Sequence, residues 1–508
     1  MIWNKKVILI LVLGIALTTG FAFQGTRGLY ESSEGRYAEC AREMIETGNF
    51  MEPQIGYRPH LTKPPLTYWA IAGGMMLLGE NEWGIRLYNA AAFALTVLVI
   101  VQLGIMLWDK ETGLVAGLIY ASSLFPVIGA YFVTTDTLLT LWVTTGVLCY
   151  LKAYRESSGR RQRMWVCGMW LFFGLAFLTK GPAGIVFLLP LLIWHVLLKN
   201  PFKIMSPAGI LIFLSVGFSW YIVVCLRHPG ALAFLINEQF TGRLTGNLIS
   251  REAPNSEWYK AFLMYIPALT VGAGPWVYFL LKDLKWTNLA EILKFKNYRD
   301  SNRNENFLYI LFLPIIVFFI AASKLIFYVL PFYTLITLIV AHRIRLNQSI
   351  SCRMANAVKT ALLTALILVG VKGVMAYLPN KNNMRPVGAV CRQFQRPHTH
   401  FVAFDEPKFF GLQFYLHGHL RRFFAAGKDD EGNSDGTLDD MIDQILSSDS
   451  EESWVIVTNQ TKHLRILEEG LNKLSLPFKE TKTKYWIICT LNMPGSILKS
   501  MNKRNTDI

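Results

Sequence analysis

Residues 85–108 read I-R-L-Y-N-A-A-A-F-A-L-T-V-L-V-I-V-Q-L-G-I-M-L-W, Ile85 to Trp108, with Arg86 as the one charge. About 20 apolar residues cross the hydrocarbon core as a helix, so this stretch alone reads as a membrane span. The same kind of block recurs along the chain, at about 111–132, 137–154, 164–179, 181–198, 207–226, 259–281, 307–322, 325–341 and 355–378. Val7 to Phe23, behind Lys5 and Lys6, is a further apolar run. It lacks a small-x-small cleavage site and is followed by many spans, so it reads as an uncleaved first helix, not a signal peptide. Lys359 and Lys372 interrupt the last block, which makes it the weakest of the spans. The expected architecture is an all-α polytopic bundle of about eleven transmembrane helices.

Total composition does not make this case, because 52% hydrophobic residues is also normal for soluble chains. The blockwise distribution does. The net charge of +15 raises the question of nucleic acid. The positive charge falls instead in short loops between apolar blocks, with no basic stripe or nucleic-acid module, so no nucleic-acid partner is expected. With the N-terminus inside, one side of the membrane takes Lys152, Arg155, Arg160, Arg161 and Arg163, then Lys199 and Lys203. Lys282, Lys285, Lys294, Lys296, Arg299 and Arg303 follow, then Arg343, Arg345 and Arg353. The other side takes a long first loop (25–82), short turns at Thr134–Asp136, Thr179–Gly181 and Ser323–Lys324, and a loop from Arg227 to Trp258.

Residues 1–378 thus read as a transmembrane domain with a large outer first loop. Residues 379–508 read as a small α/β domain outside the membrane. In that tail His400–Phe404, Trp454–Thr458 and Tyr485–Thr490 are strand-like, Leu438–Leu446 and Thr461–Leu474 helical, and Lys428–Asp440 an acidic loop. The seven cysteines lack metal-ligand spacing and read as small hydrophobes, with Cys391 and Cys489 as a candidate bridge. His398, His400, His417 and His419 have no third partner at metal spacing. No cofactor is implied and no metal site is supported.

The first loop carries Glu34, Arg36-Tyr37-Ala38-Glu39, Arg42-Glu43-Met44, Gly48-Asn49-Phe50 and Lys63-Pro64. Glu34, Tyr37, Ala38 and Ala41 share one face if the stretch is helical. Residues 66–79 are apolar but short, suiting an interfacial helix. Arg86, Asp136, Thr179-Lys180-Gly181, Glu238 with Arg243, and Ser323-Lys324-Leu325 followed by Tyr328 and Pro331 come later. In this order, over about residues 5–341, the pattern resembles the membrane glycosyltransferases that use polyprenyl-phosphate sugars (the GT-C class). These include the protein O-mannosyltransferases and the aminoarabinose transferase of lipid A. The chain departs from that pattern at Ser33, Thr62 and Gln239, where the resemblance leads one to expect an aspartate, an acidic residue and a histidine. Glu34 is then the first-loop carboxylate that takes the catalytic role.

The resemblance implies an inverting transfer from undecaprenyl phosphate to a lipid, glycan or protein acceptor. The enzyme would be a monomer in the bacterial inner membrane, its site facing the periplasm. The chemistry agrees. Breaking a sugar–phosphate bond passes through an oxocarbenium-like state, and fixed cations can stabilise the leaving phosphate without a metal. Lys63, Lys180, Arg243 and Lys324, with the Tyr328 hydroxyl, are the expected donor-binding groups. Glu34 and Asp136 are the expected catalytic carboxylates, and Arg36, Tyr37, Arg86 and Glu238 the supporting contacts. Plainer roles stay open for each. Asp136 suits the start of a helix, Lys63 and Lys180 suit interfacial anchors, Glu238 and Arg243 suit a structural pair, and Arg36 and Arg86 suit fixing the first loop. The rival function is a transporter or flippase of lipid-linked sugar. Such proteins often show repeated halves and a midplane site, and neither is evident here.

Overall fold

The computed structural model describes residues 4–157, 159–198, 202–246, 257–281, 303–347, 350–406, 408–425, 434–448, 452–459, 463–473 and 478–492. Lys199, Lys282, Lys285, Lys294, Lys296 and Arg299 lie outside the described residues, as do parts of the expected loops from Arg227 and from Lys428 and the ends of the expected Thr461–Leu474 helix. The chain forms two compact units. One comprises Met1–Gly25, Asn49–Gln54 and Pro59–Tyr377; the other comprises Thr26–Gly48, Ile55–Arg58 and Leu378–Ile508. Two pieces of the first loop, Thr26–Gly48 and Ile55–Arg58, therefore belong structurally with the tail, and the rest with the helical unit.

Among the described residues the first unit is built almost entirely of helices. Glu82–Leu107, Trp258–Phe279, Arg303–Ile320 and Met354–Tyr377 are long and apolar enough to cross a membrane. Two bent pairs raise the number to six among the described residues: Lys110–Ala121 with Leu124–Tyr131 (56°), and Pro207–Gly217 with Ser219–Arg227 (46°). The other expected spans are also helices: Lys5–Phe21, Asp136–Arg155, Arg160–Lys180, Pro182–Leu197 and Phe332–Asn347. Leu66–Leu78 is a helix of 13 residues, too short to span. Large apolar side chains remain on the outside, Leu226, Ile320, Leu363 and Leu366 among them. A surface that apolar is stable against lipid, not water. The chain is an integral membrane protein.

Local chemistry sets the ends and bends of these helices. Asn81 caps Glu82–Leu107 by accepting from the Gly84 amide at 3.0 Å, and Asp109 caps Lys110–Ala121 through Thr112 at 2.8 Å. The 56° break follows Ser122 and Ser123, whose hydroxyls bond back to the Leu118 and Ile119 carbonyls at 2.7 Å. Lys372, which weakens the last span as read from sequence, has a defined partner. Its ammonium donates to the Thr19 carbonyl at 2.8 Å, at the C-terminal end of Lys5–Phe21, and lies 4.8 Å from the Tyr131 ring centroid. A helix end leaves its last carbonyls without intrahelical donors, so a cation there is stabilised inside the bundle.

The second unit holds a six-stranded sheet in the order Gly436–Thr437, Leu420–Phe424, Thr399–Phe404, Ser453–Asn459, Trp486–Asn492, Phe478–Lys482. Thr399–Phe404 pairs in parallel with both neighbours, and Trp486–Asn492 is antiparallel to both of its own. Leu438–Ser447 starts in a capping box between Thr437 and Asp440. With His463–Lys473 it packs Met441, Ile445, Leu467 and Leu471 against Val402 and Ile456 of the sheet. Cys391 and Cys489 are each buried free thiols, so the candidate bridge is absent. Ser33–Thr47 is the expected first-loop helix, and Glu34, Tyr37, Ala38 and Ala41 are all buried on it. It crosses Phe410–Tyr415 so closely that a Cβ on Gly35 would meet the Gly411 nitrogen at 2.2 Å.

Candidate functional site

Four of the five expected donor-binding residues line one cavity of about 570 Å³ in the first unit: Lys63, Lys180, Arg243 and Tyr328. Each arrives on a different element. Lys63 precedes Pro64-Pro65 at the entry to Leu66–Leu78, where the prolines fix the chain direction. Lys180 ends Arg160–Lys180. Gly181 then adopts φ +63°, and Pro182 opens the next helix at its first position. A Cβ on Gly181 would stand 2.7 Å from the Tyr221 hydroxyl, so the turn needs glycine for both reasons. Arg243 follows a π-helical turn, Leu235–Thr241, and its guanidinium is forked on the Gln239 side-chain oxygen at 3.1 and 2.8 Å. Tyr328 sits in the 3₁₀ turn Ile326–Val329.

The remaining expected cation, Lys324, is buried beside cavity-lining Ser323 and donates to the Ala322 carbonyl at 3.3 Å. Burial pushes its ammonium below the ordinary lysine range, against the attraction of Glu257. Its turn is tied to the Arg243 turn by two backbone bonds, Ser323 N to Arg243 O at 2.9 Å and Ala322 N to Leu244 O at 3.0 Å. A change at either turn is therefore felt by the other.

Asp136 opens the helix Asp136–Arg155 and is buried. Its carboxylate does not cap that helix. One oxygen is ion-paired with Lys180 and the other accepts from the Thr134 hydroxyl at 2.8 Å. Thr134 is itself held by Tyr88, whose hydroxyl donates to the Thr134 carbonyl at 2.9 Å. The Lys180 ammonium lies 4.1 Å from the Tyr328 ring centroid, a cation–π arrangement strengthened by desolvation. Arg86, fully buried, donates to the Gln24 carbonyl at 2.6 Å and so secures the exit of the first helix. Glu238 is buried in the π-helical turn one residue before Gln239.

Glu34, Arg36 and Tyr37 belong to the second unit. There Arg27 forks onto both Glu34 oxygens at 2.5 and 2.9 Å, and the Tyr30 amide donates to Glu34 at 3.1 Å. Tyr37 is buried and Arg36 half-buried on the same helix.

Several contributors gave no signal in spacing. Phe177, Phe218, Tyr221, Leu235, Phe240 and Phe318 are among the residues of the cavity wall. Phe177, Phe218, Tyr221 and Phe318 lie within apolar blocks where every residue looks alike, and Leu235 and Phe240 lie in the stretch from Arg227 to Trp258 that reads as a loop. Thr62 also lines the cavity, its hydroxyl 2.7 Å from His60 Nε2. The first-loop piece Phe50–Glu52 is seated in the same unit: the Trp69 and Trp220 indoles donate to the Phe50 and Met51 carbonyls, and Glu52 pairs with Arg227 at 3.0 Å.

Residues 8–234 match the family model for dolichyl-phosphate-mannose-protein mannosyltransferase. The undecaprenyl phosphate-alpha-4-amino-4-deoxy-L-arabinose arabinosyl transferase 2 of Pseudomonas fluorescens is 27% identical over 74% of this chain and 67% of its own length. The corresponding transferase of Aeromonas hydrophila is 30% identical over 70% of this chain and 63% of its own. The alignments with these two and with six similar transferases span 53% to 67% of the relatives' length. The crystal structure of ArnT from Cupriavidus metallidurans bound to undecaprenyl phosphate superposes with a TM-score of 0.80 at 16% identity, covering 97% of this chain and 99% of that one. In sequence and in fold, this chain resembles the membrane glycosyltransferases that draw on polyprenyl-phosphate sugars, the superfamily of the aminoarabinose and protein mannosyl transferases.

Proposed function

We propose that the protein is a glycosyltransferase of the bacterial inner membrane, moving a sugar from a polyprenyl phosphate such as undecaprenyl phosphate to a lipid, glycan or protein acceptor on the periplasmic side. The observation that carries this reading is the single cavity in which Lys63, Lys180, Arg243 and Tyr328 meet a wall that is otherwise largely apolar. A polyprenyl phosphate has that same division, a long hydrocarbon joined to a phosphate. The aromatic and aliphatic wall suits the chain. The guanidinium of Arg243 suits bidentate phosphate recognition, and the lysines supply point charges.

In this mechanism the phosphate is a better leaving group because the cations are already in place when charge develops on it. Lys324, beside cavity-lining Ser323, adds a further cation close to the phosphate. Asp136 keeps Lys180 oriented, and its anionic field opposes build-up of excess positive potential next to the anomeric carbon. Attack from the face opposite the phosphate inverts that carbon. An acceptor hydroxyl needs a base, the role assigned to Asp136 or Glu34, whereas an acceptor phosphate needs none. Glu34 acts either there or, through Arg27, by holding the first-loop helix in shape.

We read the membrane part as about eleven helices spanning residues 1–378, since the helices below the spanning threshold coincide with apolar blocks of the sequence. Residues 379–508 are read as a periplasmic domain, and the protein as a monomer. Reconstitution tests the function. Purified protein in liposomes with labelled undecaprenyl-phosphate sugar is expected to pass the sugar to a membrane extract while undecaprenyl phosphate accumulates. Movement of intact donor across the bilayer without bond cleavage would establish the flippase instead.

A further inference from the structure

We infer that Ser323 is a further donor-binding residue, its hydroxyl donating a hydrogen bond to the same lipid phosphate that Arg243 recognises. The inference deepens the proposed function and rests on it. Ser323 is 1% exposed, lines the cavity, and its Oγ has no hydrogen-bond partner among the described residues. Ser122, Ser123, Thr140 and Thr144, buried in the same unit, behave differently. Each donates to the carbonyl four residues earlier, at 2.6 or 2.7 Å. That bond satisfies locally a hydroxyl removed from water. Ser323 follows the short helix Ile315–Ile320, and its hydroxyl does not take that route. A polar group left in this state is destabilising, and a ligand that supplies the missing bond gains by it.

The backbone selects which part of the ligand that is. Ser323 N donates to the Arg243 carbonyl at 2.9 Å and Ala322 N to the Leu244 carbonyl at 3.0 Å. These two bonds hold the serine directly beside the arginine. The next residue, Lys324, is buried, with its ammonium 3.3 Å from the Ala322 carbonyl. Tyr328, five residues on, lines the same cavity. Ser323 thus stands among the groups that the proposed function assigns to phosphate, not apart from them. A phosphate has more acceptor positions than one guanidinium fork fills, and a hydroxyl adds a bond without adding charge. The side chain is short and turns about χ1 between staggered positions, so the bond asks for a rotamer change and no movement of the turn.

Saturable binding of undecaprenyl phosphate to the full-length protein in detergent tests this, together with thermal unfolding of the unligated protein. Ser323→Ala is expected to weaken binding about tenfold or more, the scale of a hydrogen bond to a charged group. The unligated unfolding midpoint is expected to stay the same or rise, since the variant removes a hydroxyl that lacked a partner. Ser323→Cys, close in size but a weak donor, should lose affinity as Ser323→Ala does. Undecaprenyl phosphate carrying glucose should show the same loss as the unglycosylated lipid. A loss confined to the glucosyl lipid would put the hydroxyl on the sugar and overturn the inference. Unchanged affinity in Ser323→Ala would also overturn it, as would a fall in the unligated midpoint, the mark of a hydroxyl that serves the fold. Each of these leaves the transferase reading standing. Wild-type protein that binds neither lipid saturably would overturn both.

Discussion

Lys180 and Asp136 form a buried ion pair that joins the end of one helix to the start of another, with the lysine ammonium also lying over Tyr328. Either partner left alone would be an unpaired charge in a poorly solvated place, which costs about 3–5 kcal/mol. Asp136→Asn is expected to abolish sugar transfer while expression persists, and to lower the thermal unfolding midpoint. Lys180→Met should do the same. A double variant, Asp136→Asn with Lys180→Met, should recover part of the stability but none of the turnover. Full additivity in the stability measurements would argue against coupling.

Lys63 and Arg243 line the cavity from two further elements. Lys63→Ala and Arg243→Ala are expected each to weaken undecaprenyl phosphate binding by about 1.5–3 kcal/mol, the scale of a charge-assisted hydrogen bond. Arg243→Lys should recover only part, since the fork on Gln239 orients a planar group. Donor affinity measured by titration, independently of turnover, decides this.

Glu34 accepts two guanidinium bonds and one amide bond within the second unit. Glu34→Gln is expected to abolish transfer and to destabilise that unit by about 3–5 kcal/mol, because Arg27 remains buried without its counter-charge. Hydrogen exchange of Ser33–Thr47 reads the stability, and turnover reads the catalysis. A stable variant that turns over normally removes both roles.

Glu43 governs a pH effect. Burial, with help from Glu39, pushes its carboxyl up to about 7, against the Tyr57 and Gly56 amides and Arg42. The folded protein therefore holds this proton in a range where the unfolded chain releases it. Its stabilising contribution is complete below the ordinary carboxylate pKa and is lost as pH rises toward about 7. Glu31, pushed to about 8 by burial, acts in the same direction. Exchange protection of Ser33–Thr47 is expected to fall between about pH 5 and 8 in the wild type and to fall less in Glu43→Gln. Equal slopes in the two proteins would contradict the assignment.

The membrane class, the positions of the long apolar helices and the cations that line the cavity were legible because each depends on local facts. Apolar runs of spanning length have one stable outcome in lipid, and a lysine beside Pro64 or in the Lys180-Gly181-Pro182 turn stands out against apolar surroundings. In the tail the strands Thr399–Phe404, Ser453–Asn459 and Trp486–Asn492 and the helix Leu438–Ser447 were legible within a few residues, whereas the strands Leu420–Phe424, Gly436–Thr437 and Phe478–Lys482 and the helices Arg385–Gln393 and Phe410–Tyr415 were not. Which apolar side chains wall the cavity was not, because Phe177, Tyr221 and Phe318 come from blocks in which lipid-facing and cavity-facing residues have the same composition.

From its sequence alone, the protein is determined to be a helical membrane protein with cations and carboxylates at the ends of its spans, because the cost of burying charge and backbone in hydrocarbon is paid residue by residue. Tertiary structure alone decided how those charges are shared. Asp136 went to Lys180, Glu34 to Arg27 and Lys372 to the end of the first helix. A carboxylate's partner is set by distance and desolvation across elements far apart in the chain, and spacing along the sequence carries no record of either.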